Sequence, residues 1–104
     1  MAISLAKFVA DTNNQFIRPR VYCEDGYSIS IQANDCAYCV PRANGRAYYE
    51  SFELGYPSDT DDLIDRYSED PTNLLGTVYP YIDWIIVEKL LDKHGGIVRF
   101  EDDA

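Results

Sequence analysis

The sequence predicts a small α+β domain in which an antiparallel sheet of three to four strands packs against two to three helices. Three observations lead to this class. The chain has 104 residues, 46% of them hydrophobic, which is enough for one core and too few for two. Segments that alternate apolar and polar residues are interspersed with segments of helical spacing. An Asp-Gly pair at positions 25–26 separates two apolar runs, which is a hairpin signal. We expect a single domain over residues 1–104, with an acidic tail at 101–104.

The first helix is predicted from a capping residue and an apolar face. Ser4 can accept a hydrogen bond from the first turn, and Leu5, Phe8 and Val9 share one side of the helix. The helix should end near residues 12–14, where the apolar spacing stops.

Two strands are predicted from alternation with a period of two. In the strand after the turn at residues 24–26, the residues expected to face the core are Tyr27, Ile29, Ile31 and Ala33. A second strand over residues 49–56 has Phe52, Leu54 and Tyr56 as inward positions and ends at Pro57. Residues 37–40 can form a further short strand before a loop at 41–46.

The second half of the chain predicts two more helices. Ser58 or Asp59 can cap a short acidic helix that reaches about residue 67, with inward positions Leu63, Ile64 and Tyr67. Residues 74–81 are expected to be an irregular aromatic connection. A helix over residues 83–94 should follow, capped by Gly95, with a core stripe made of Ile82, Ile85, Ile86 and Leu90. Residues 97–100 can add an edge strand.

The net charge of the chain argues against some kinds of binding partner. Eighteen acidic and nine basic side chains give a net charge of −9, which repels nucleic acid and anionic lipid and favours basic partner surfaces. The longest apolar run, residues 84–87, is far shorter than the ~20 residues that cross a bilayer. The N-terminal residues lack a secretory pattern. We therefore expect a cytoplasmic protein without direct nucleic-acid or membrane binding.

The cysteines do not predict a metal site. Cys36 and Cys39 have the spacing of half a zinc site, which Cys23 and His94 could complete, but the second paired motif of a zinc ribbon is missing. Reduced structural thiols are the favoured interpretation, and we expect no cofactor.

Catalytic patterns are also weak. His94, the only histidine, falls in the last turn of a predicted helix, where a cation complements the helix dipole. The paired acids at 61–62 and 69–70 point to different sides of a helix, and glycine-rich phosphate loops are absent. We expect a protein that is not an enzyme.

Two features stand out as candidate binding sites. The first is an acidic segment at residues 50–70, which contains eight acids, a single base, Arg66, and two tyrosines. Its predicted partner-binding residues are Glu50, Glu53, Asp59, Asp61, Asp62, Asp65, Glu69, Asp70, Tyr56 and Tyr67. Tyrosine offers rigid contact area plus a hydroxyl group. The aspartates are expected to be exposed, and the alternative is that they only solubilise the surface. The second feature is a possible anion site formed by Arg18, Arg20, Arg42 and Arg46.

Several strings of the sequence resemble one family of proteins. They are DGYSISIQA at residues 25–33, YCVPR at 38–42, GYPS at 55–58, TVYPY at 77–81 and HGGI at 94–97. Together they resemble a family of small uncharacterised phage and prophage proteins. The resemblance implies a viral accessory role in the cytoplasm of a host cell. Many small acidic phage proteins inhibit host defence, and they include anti-CRISPR and anti-restriction proteins.

The expected function is therefore inhibition of a host defence system by protein–protein binding. The acidic segment would occupy a basic, nucleic-acid-binding surface of a host protein such as a CRISPR effector or a restriction enzyme, with carboxylates in place of phosphates. Two alternatives stay open. One is a small-molecule or nucleotide-signal sponge that uses the arginines with tyrosines for stacking, and the other is a structural phage component.

Overall fold

The computed structural model describes residues 2–101, in which five strands, two α-helices and one 3-10 helix follow one another. The elements are α1 (Leu5–Asp11), β1 (Arg20–Cys23), β2 (Ser28–Gln32), β3 (Ser51–Gly55), the 3-10 helix (Asp65–Tyr67), β4 (Val78–Asp83), α2 (Trp84–Lys93) and β5 (Ile97–Glu101). The α+β class with an antiparallel sheet is confirmed. The sheet has one strand more than expected, because β4 forms where an irregular connection was predicted.

The strands form one antiparallel sheet in the order β4-β3-β2-β1-β5. Consecutive strands are neighbours except for β5, which returns to pair with β1 and makes the edge that was predicted. Both ends of the described chain meet there, since the Ile3 amide donates to the Ile97 carbonyl at 2.7 Å. The predicted tail begins differently, because Glu101 belongs to β5, while residues 102–104 lie outside the described residues.

The sheet has an apolar face and a polar face. The positions that alternate with the apolar ones, such as Arg20, Ser30 and Glu53, stay partly exposed. The apolar positions share one buried cluster with both helices, and its fully buried members include Phe8, Val9, Val21, Ile29, Ile31, Phe52, Leu54, Tyr79, Ile82, Val87 and Leu90. Burial of one such aliphatic or aromatic side chain contributes about 1.5–3 kcal/mol.

Local signals determine the first helix and the hairpin as predicted. The Ser4 hydroxyl accepts the Lys7 amide at 3.1 Å, and the predicted apolar face of α1 is buried. In the turn between β1 and β2, Gly26 has φ of 95°, a conformation that residues with a Cβ rarely adopt. The Asp25 carboxylate supports the same turn by accepting the Tyr27 amide at 2.9 Å.

The core stripe predicted for α2 is partly wrong. Ile85 is 64% exposed, whereas Val87, Leu90 and Leu91 are the buried residues of the helix. Ile82 is buried, but it belongs to β4, so the helical spacing could not be extrapolated from it. The buried face instead follows the i, i+3, i+4 spacing inside the helix.

The acidic helix predicted from residue 58 or 59 to about 67 does not form, because aspartate side chains take the amides that a helix would use. Asp59 accepts the amide of residue 60, Asp61 that of residue 63, and Asp65 that of Asp61. Only the 3-10 helix remains, although Ile64 is buried as expected. Residues 37–40 form no strand beyond a single bridge between Val40 and β3. Within residues 2–101, no helix is long and apolar enough to cross a membrane.

Candidate functional site

The only histidine of the chain lies where three segments of the fold meet. It follows the last residue of α2, its ring contacts the turn between β1 and β2, and the loop at residues 58–64 lies on its other side. Six side chains interact there, and we call them the His94 junction: Asp25, Tyr27, Asp61, Asp62, Lys93 and His94.

Backbone chemistry brings these segments together. Gly95 ends α2 with φ of 89°, and a Cβ at this position would lie 2.6 Å from the Cβ of Glu24, so only glycine fits. The close approach lets the Glu24 amide donate to the Gly96 carbonyl and the Asp25 amide to the His94 carbonyl, at 3.1 and 3.2 Å. The hairpin turn is therefore held against the end of α2 by backbone hydrogen bonds, in addition to any side-chain contact.

The imidazole of His94 lies between two carboxylates. Its Nδ1 is 2.6 Å from Oδ2 of Asp25, and its Nε2 is 2.8 Å from Oδ2 of Asp61. The ring also stacks on Tyr27, with the centroids 3.9 Å apart and the planes 7° from parallel. A carboxylate can only accept hydrogen bonds, so both ring nitrogens must carry a proton. The arrangement thus favours the imidazolium form of His94.

Asp61 is the buried anion of the junction, which corrects the prediction that it is exposed. Only 2% of its side chain is accessible. Oδ1 accepts the Leu63 amide at 2.9 Å and the Lys93 ammonium at 3.0 Å, while Oδ2 faces His94. Lys93 also reaches Asp62, whose side chain is 91% exposed. The carboxylate of Asp61 tolerates burial because it has two cations and an amide as partners.

The pKa values of the junction follow from these contacts. Burial lowers the pKa of His94, but its bonds with Asp25 and Asp61 outweigh burial and raise the pKa above its ordinary value. Burial raises the pKa of Asp61, but the Leu63 amide, His94 and Lys93 outweigh it and lower the pKa. The Tyr27 amide and His94 lower the pKa of Asp25. The charged forms of all three groups are therefore favoured together.

The junction is not arranged for nucleophilic catalysis. A histidine that activates a serine or a cysteine needs one free ring nitrogen to accept the proton, and both nitrogens of His94 are bonded to carboxylates. The Ser58 hydroxyl, in the adjoining pocket, accepts the Ser28 amide at 2.9 Å. What the junction does is hold charges at fixed positions.

Acidic side chains from two distant parts of the sequence surround the junction. Asp25 and Asp59 line one shallow pocket together with His94, and Asp62 extends from the same loop. We use the term acidic surface for the exposed carboxylates on these segments, which are Glu24, Asp25, Asp59 and Asp62. Sequence reasoning missed the two residues of the hairpin turn.

The other predicted partner-binding residues are spread over the molecule. The Glu50 carbonyl accepts the Trp84 amide at the start of α2, about 15 Å of helix away from His94. Glu53 lies on the polar face of the sheet, where it accepts the Tyr38 amide at 2.8 Å. Asp65 is half-buried in the 3-10 helix, followed by exposed Glu69 and Asp70. The predicted tyrosines lie elsewhere: Tyr56 is half exposed after β3, and Tyr67 is half-buried beside Arg66.

The four arginines of the alternative anion site are not gathered into one pocket. Arg18 is 2% exposed and donates to the carbonyls of Val9 and Ala33, so its guanidinium is used inside the fold. Arg20 lies on the polar face of the sheet and donates to the Tyr56 carbonyl at 2.6 Å. The remaining two, Arg42 and Arg46, are exposed on the loop before β3.

The three cysteines are free thiols at separate positions. Cys23 is buried in the core, where burial raises its pKa to about 11. Cys39 is buried beside the Asn34 carbonyl, and Cys36 is exposed. Among residues 2–101, no three histidine, cysteine or acidic side chains are placed to hold a metal ion.

Comparison of the chain with protein-family models, with curated proteins and with solved structures gave no match.

Proposed function

We propose that the protein acts by binding another macromolecule, and that its acidic surface docks on a basic surface of that partner. The observation that carries this proposal is the His94 junction, which fixes Asp25 and Asp62 through ion pairs while leaving both carboxylates partly or largely exposed. A surface whose charged groups are already held in place loses less side-chain entropy on binding.

The local charge supports the same proposal. The acidic surface and the junction together contain five carboxylates and two cations, Lys93 and the imidazolium of His94. The chain as a whole carries a net charge of −9. Complementary charge steers association and disfavours partners of like charge, so a basic groove is the kind of partner surface that fits.

The chemistry of such a partner suggests its class. Basic grooves on proteins commonly bind phosphate backbones, and fixed carboxylates can occupy them in place of phosphates. The resemblance to phage proteins adds the expectation that the partner is a host defence protein that binds nucleic acid. We therefore propose an inhibitor of this type, which needs neither a cofactor nor catalysis.

A displacement assay tests this function. Host proteins captured by the immobilised chain would be loaded with labelled duplex DNA, and the free chain would be titrated in. We expect displacement by the wild type, and at least about tenfold weaker displacement by a variant carrying Asp59→Asn and Asp62→Asn. The matched control carries Asp35→Asn and Glu88→Gln, which make the same charge change at other exposed positions. Equal displacement by all three proteins would contradict the proposal.

A groove on the polar face of the sheet favours a second candidate function. It has a volume of about 440 Å³, and Ile17, Arg20, Gln32 and Tyr56 are among its lining residues. A guanidinium next to an exposed aromatic ring suits a small anion that carries a planar group. Native mass spectrometry of the protein purified from cells tests this candidate, because a retained small anion would favour it over macromolecular binding.

A further inference from the structure

We propose that His94 is a pH-dependent switch of the acidic surface, which releases the Asp25 carboxylate when the ring loses one of its two protons. The inference begins from geometry. Both ring nitrogens face carboxylate oxygens at 2.6 and 2.8 Å, and only the imidazolium can donate to both. A neutral ring has a single N–H group. At one of the two contacts a nitrogen lone pair would then face a carboxylate oxygen, and the two would repel each other.

The difference in burial between the two carboxylates decides which contact is lost. The side chain of Asp61 is 2% exposed, and that of Asp25 is 49% exposed. A buried carboxylate that loses a donor has no water to replace it, whereas an exposed one does. The neutral ring should therefore keep its proton on Nε2, facing Asp61, and release Asp25 to solvent.

The groups with shifted pKa values around the ring are moved away from the pKa of His94. The titratable groups on the segments packed around the ring are Glu24 and Asp25 in the turn, Tyr27 just before β2, Asp59, Asp61 and Asp62 in the loop at residues 58–64, Asp65 in the 3-10 helix, and Lys93 in α2. Bonds with Asp61 and Asp62 raise the pKa of Lys93, and burial raises the pKa of Tyr27. The pKa values of Asp25 and Asp61 are lowered.

The change is confined to side chains. The backbone bonds from the turn to the His94 and Gly96 carbonyls do not depend on the proton, so the turn stays in place. Loss of the proton removes one positive charge and frees the Asp25 carboxylate from its ion pair. The acidic surface is then more negative by one charge, which strengthens its electrostatic steering, although Asp25 is no longer held in place.

NMR spectroscopy of the whole chain tests the switch without any partner, since its single histidine gives one set of ring signals. We expect His94 to titrate above its ordinary pKa of 6.5, with the proton on Nε2 in the neutral form. The Asp25 carboxyl carbon should shift at the same midpoint. A neutral ring with its proton on Nδ1, or an Asp25 signal that does not follow the ring, would overturn the inference.

Two variants separate the direct bond from general charge effects. Asp25→Asn should lower the His94 pKa, because it replaces the carboxylate that accepts from Nδ1. Glu24→Gln removes the neighbouring charge without touching that bond, and it should shift the pKa by less than half as much. Equal shifts in the two variants would mean that the contact is not a specific bond, which would contradict the switch.

The effect on binding rests on the proposed function and has its own measurement. Association of the wild type with a captured partner should become about twofold faster or more, at low salt, as pH rises through the measured His94 midpoint. The rise should be smaller for Asp25→Asn. If the wild type captures no partner, the proposed function fails while the NMR titration still decides the switch. If capture occurs and wild type and variant respond equally to pH, the switch does not act on binding.

Discussion

Replacement of Asp61 by asparagine tests the buried ion pairs of the His94 junction. Asp61→Asn keeps the size of the side chain and an oxygen for the Leu63 amide and the Lys93 ammonium, but it loses the negative charge, and its amide nitrogen cannot accept from His94. Removal of one partner from a buried pair costs about 3–5 kcal/mol. We expect about 3 kcal/mol, the lower end, because the side chain of Lys93 is 48% exposed and can turn to water.

Thermal unfolding measures this cost directly. For a domain of this size, 1 kcal/mol corresponds to about 4–8 °C, so Asp61→Asn should lower the melting temperature by roughly 12–24 °C. Asp62→Asn is the matched control, because it removes an exposed partner of the same lysine and should cost less than about 1 kcal/mol. Equal melting temperatures for the two variants would refute the assignment of Asp61 as a buried, charge-paired residue.

Three further predictions concern stability. Leu90→Ala should cost about 2–5 kcal/mol because Leu90 is fully buried, and Ile85→Ala should cost far less; equal urea midpoints would contradict the placement of the helix. Stability should be greatest at pH values between the lowered pKa values of Asp25 and Asp61 and the raised pKa of His94. It should fall as pH drops through the pKa values of the two aspartates and as pH rises through that of His94. Urea midpoints that keep rising above the His94 titration would contradict this. Addition of a chelator should leave the melting temperature unchanged, and a drop would reveal a structural metal.

Elements that depend on neighbouring residues could be predicted from the sequence. The cap at Ser4, the turn at Gly26 and the end of α2 at Gly95 each follow from the chemistry of one or two residues. The alternation in β2 likewise identified its buried side chains. These features need no knowledge of the rest of the fold.

The fourth strand could not be predicted because its period is interrupted. Its buried residues, Tyr79 and Ile82, are three positions apart, because the pairing with β3 shifts register between Phe52 and Leu54. Tyr81, at φ of 56°, lies at this irregularity. Pro80 also argues against a strand in sequence reasoning, and it is tolerated here because β4 is an edge strand.

Only part of the His94 junction could be predicted from the sequence, because its side chains come from distant parts of the chain. Asp59, Asp61 and Asp62 were recognised as acids near one another, but nothing local distinguishes the buried one from the exposed ones. The partners of His94 lie 69 and 33 positions away, so their meeting depends on the tertiary fold. The one available signal was the Asp-Gly turn, where Asp25 was interpreted as a turn residue alone.

We propose that the acidic surface steers binding to a basic partner, and the decisive measurement is the association rate as a function of salt. Rates would be measured for the wild type and for the variant carrying Asp59→Asn and Asp62→Asn, while the screening length falls from ~30 to ~8 Å. We expect a steep fall for the wild type, and for the variant a slower association at low salt with a shallower dependence. Identical rates and identical salt dependence for the two proteins would contradict the claim.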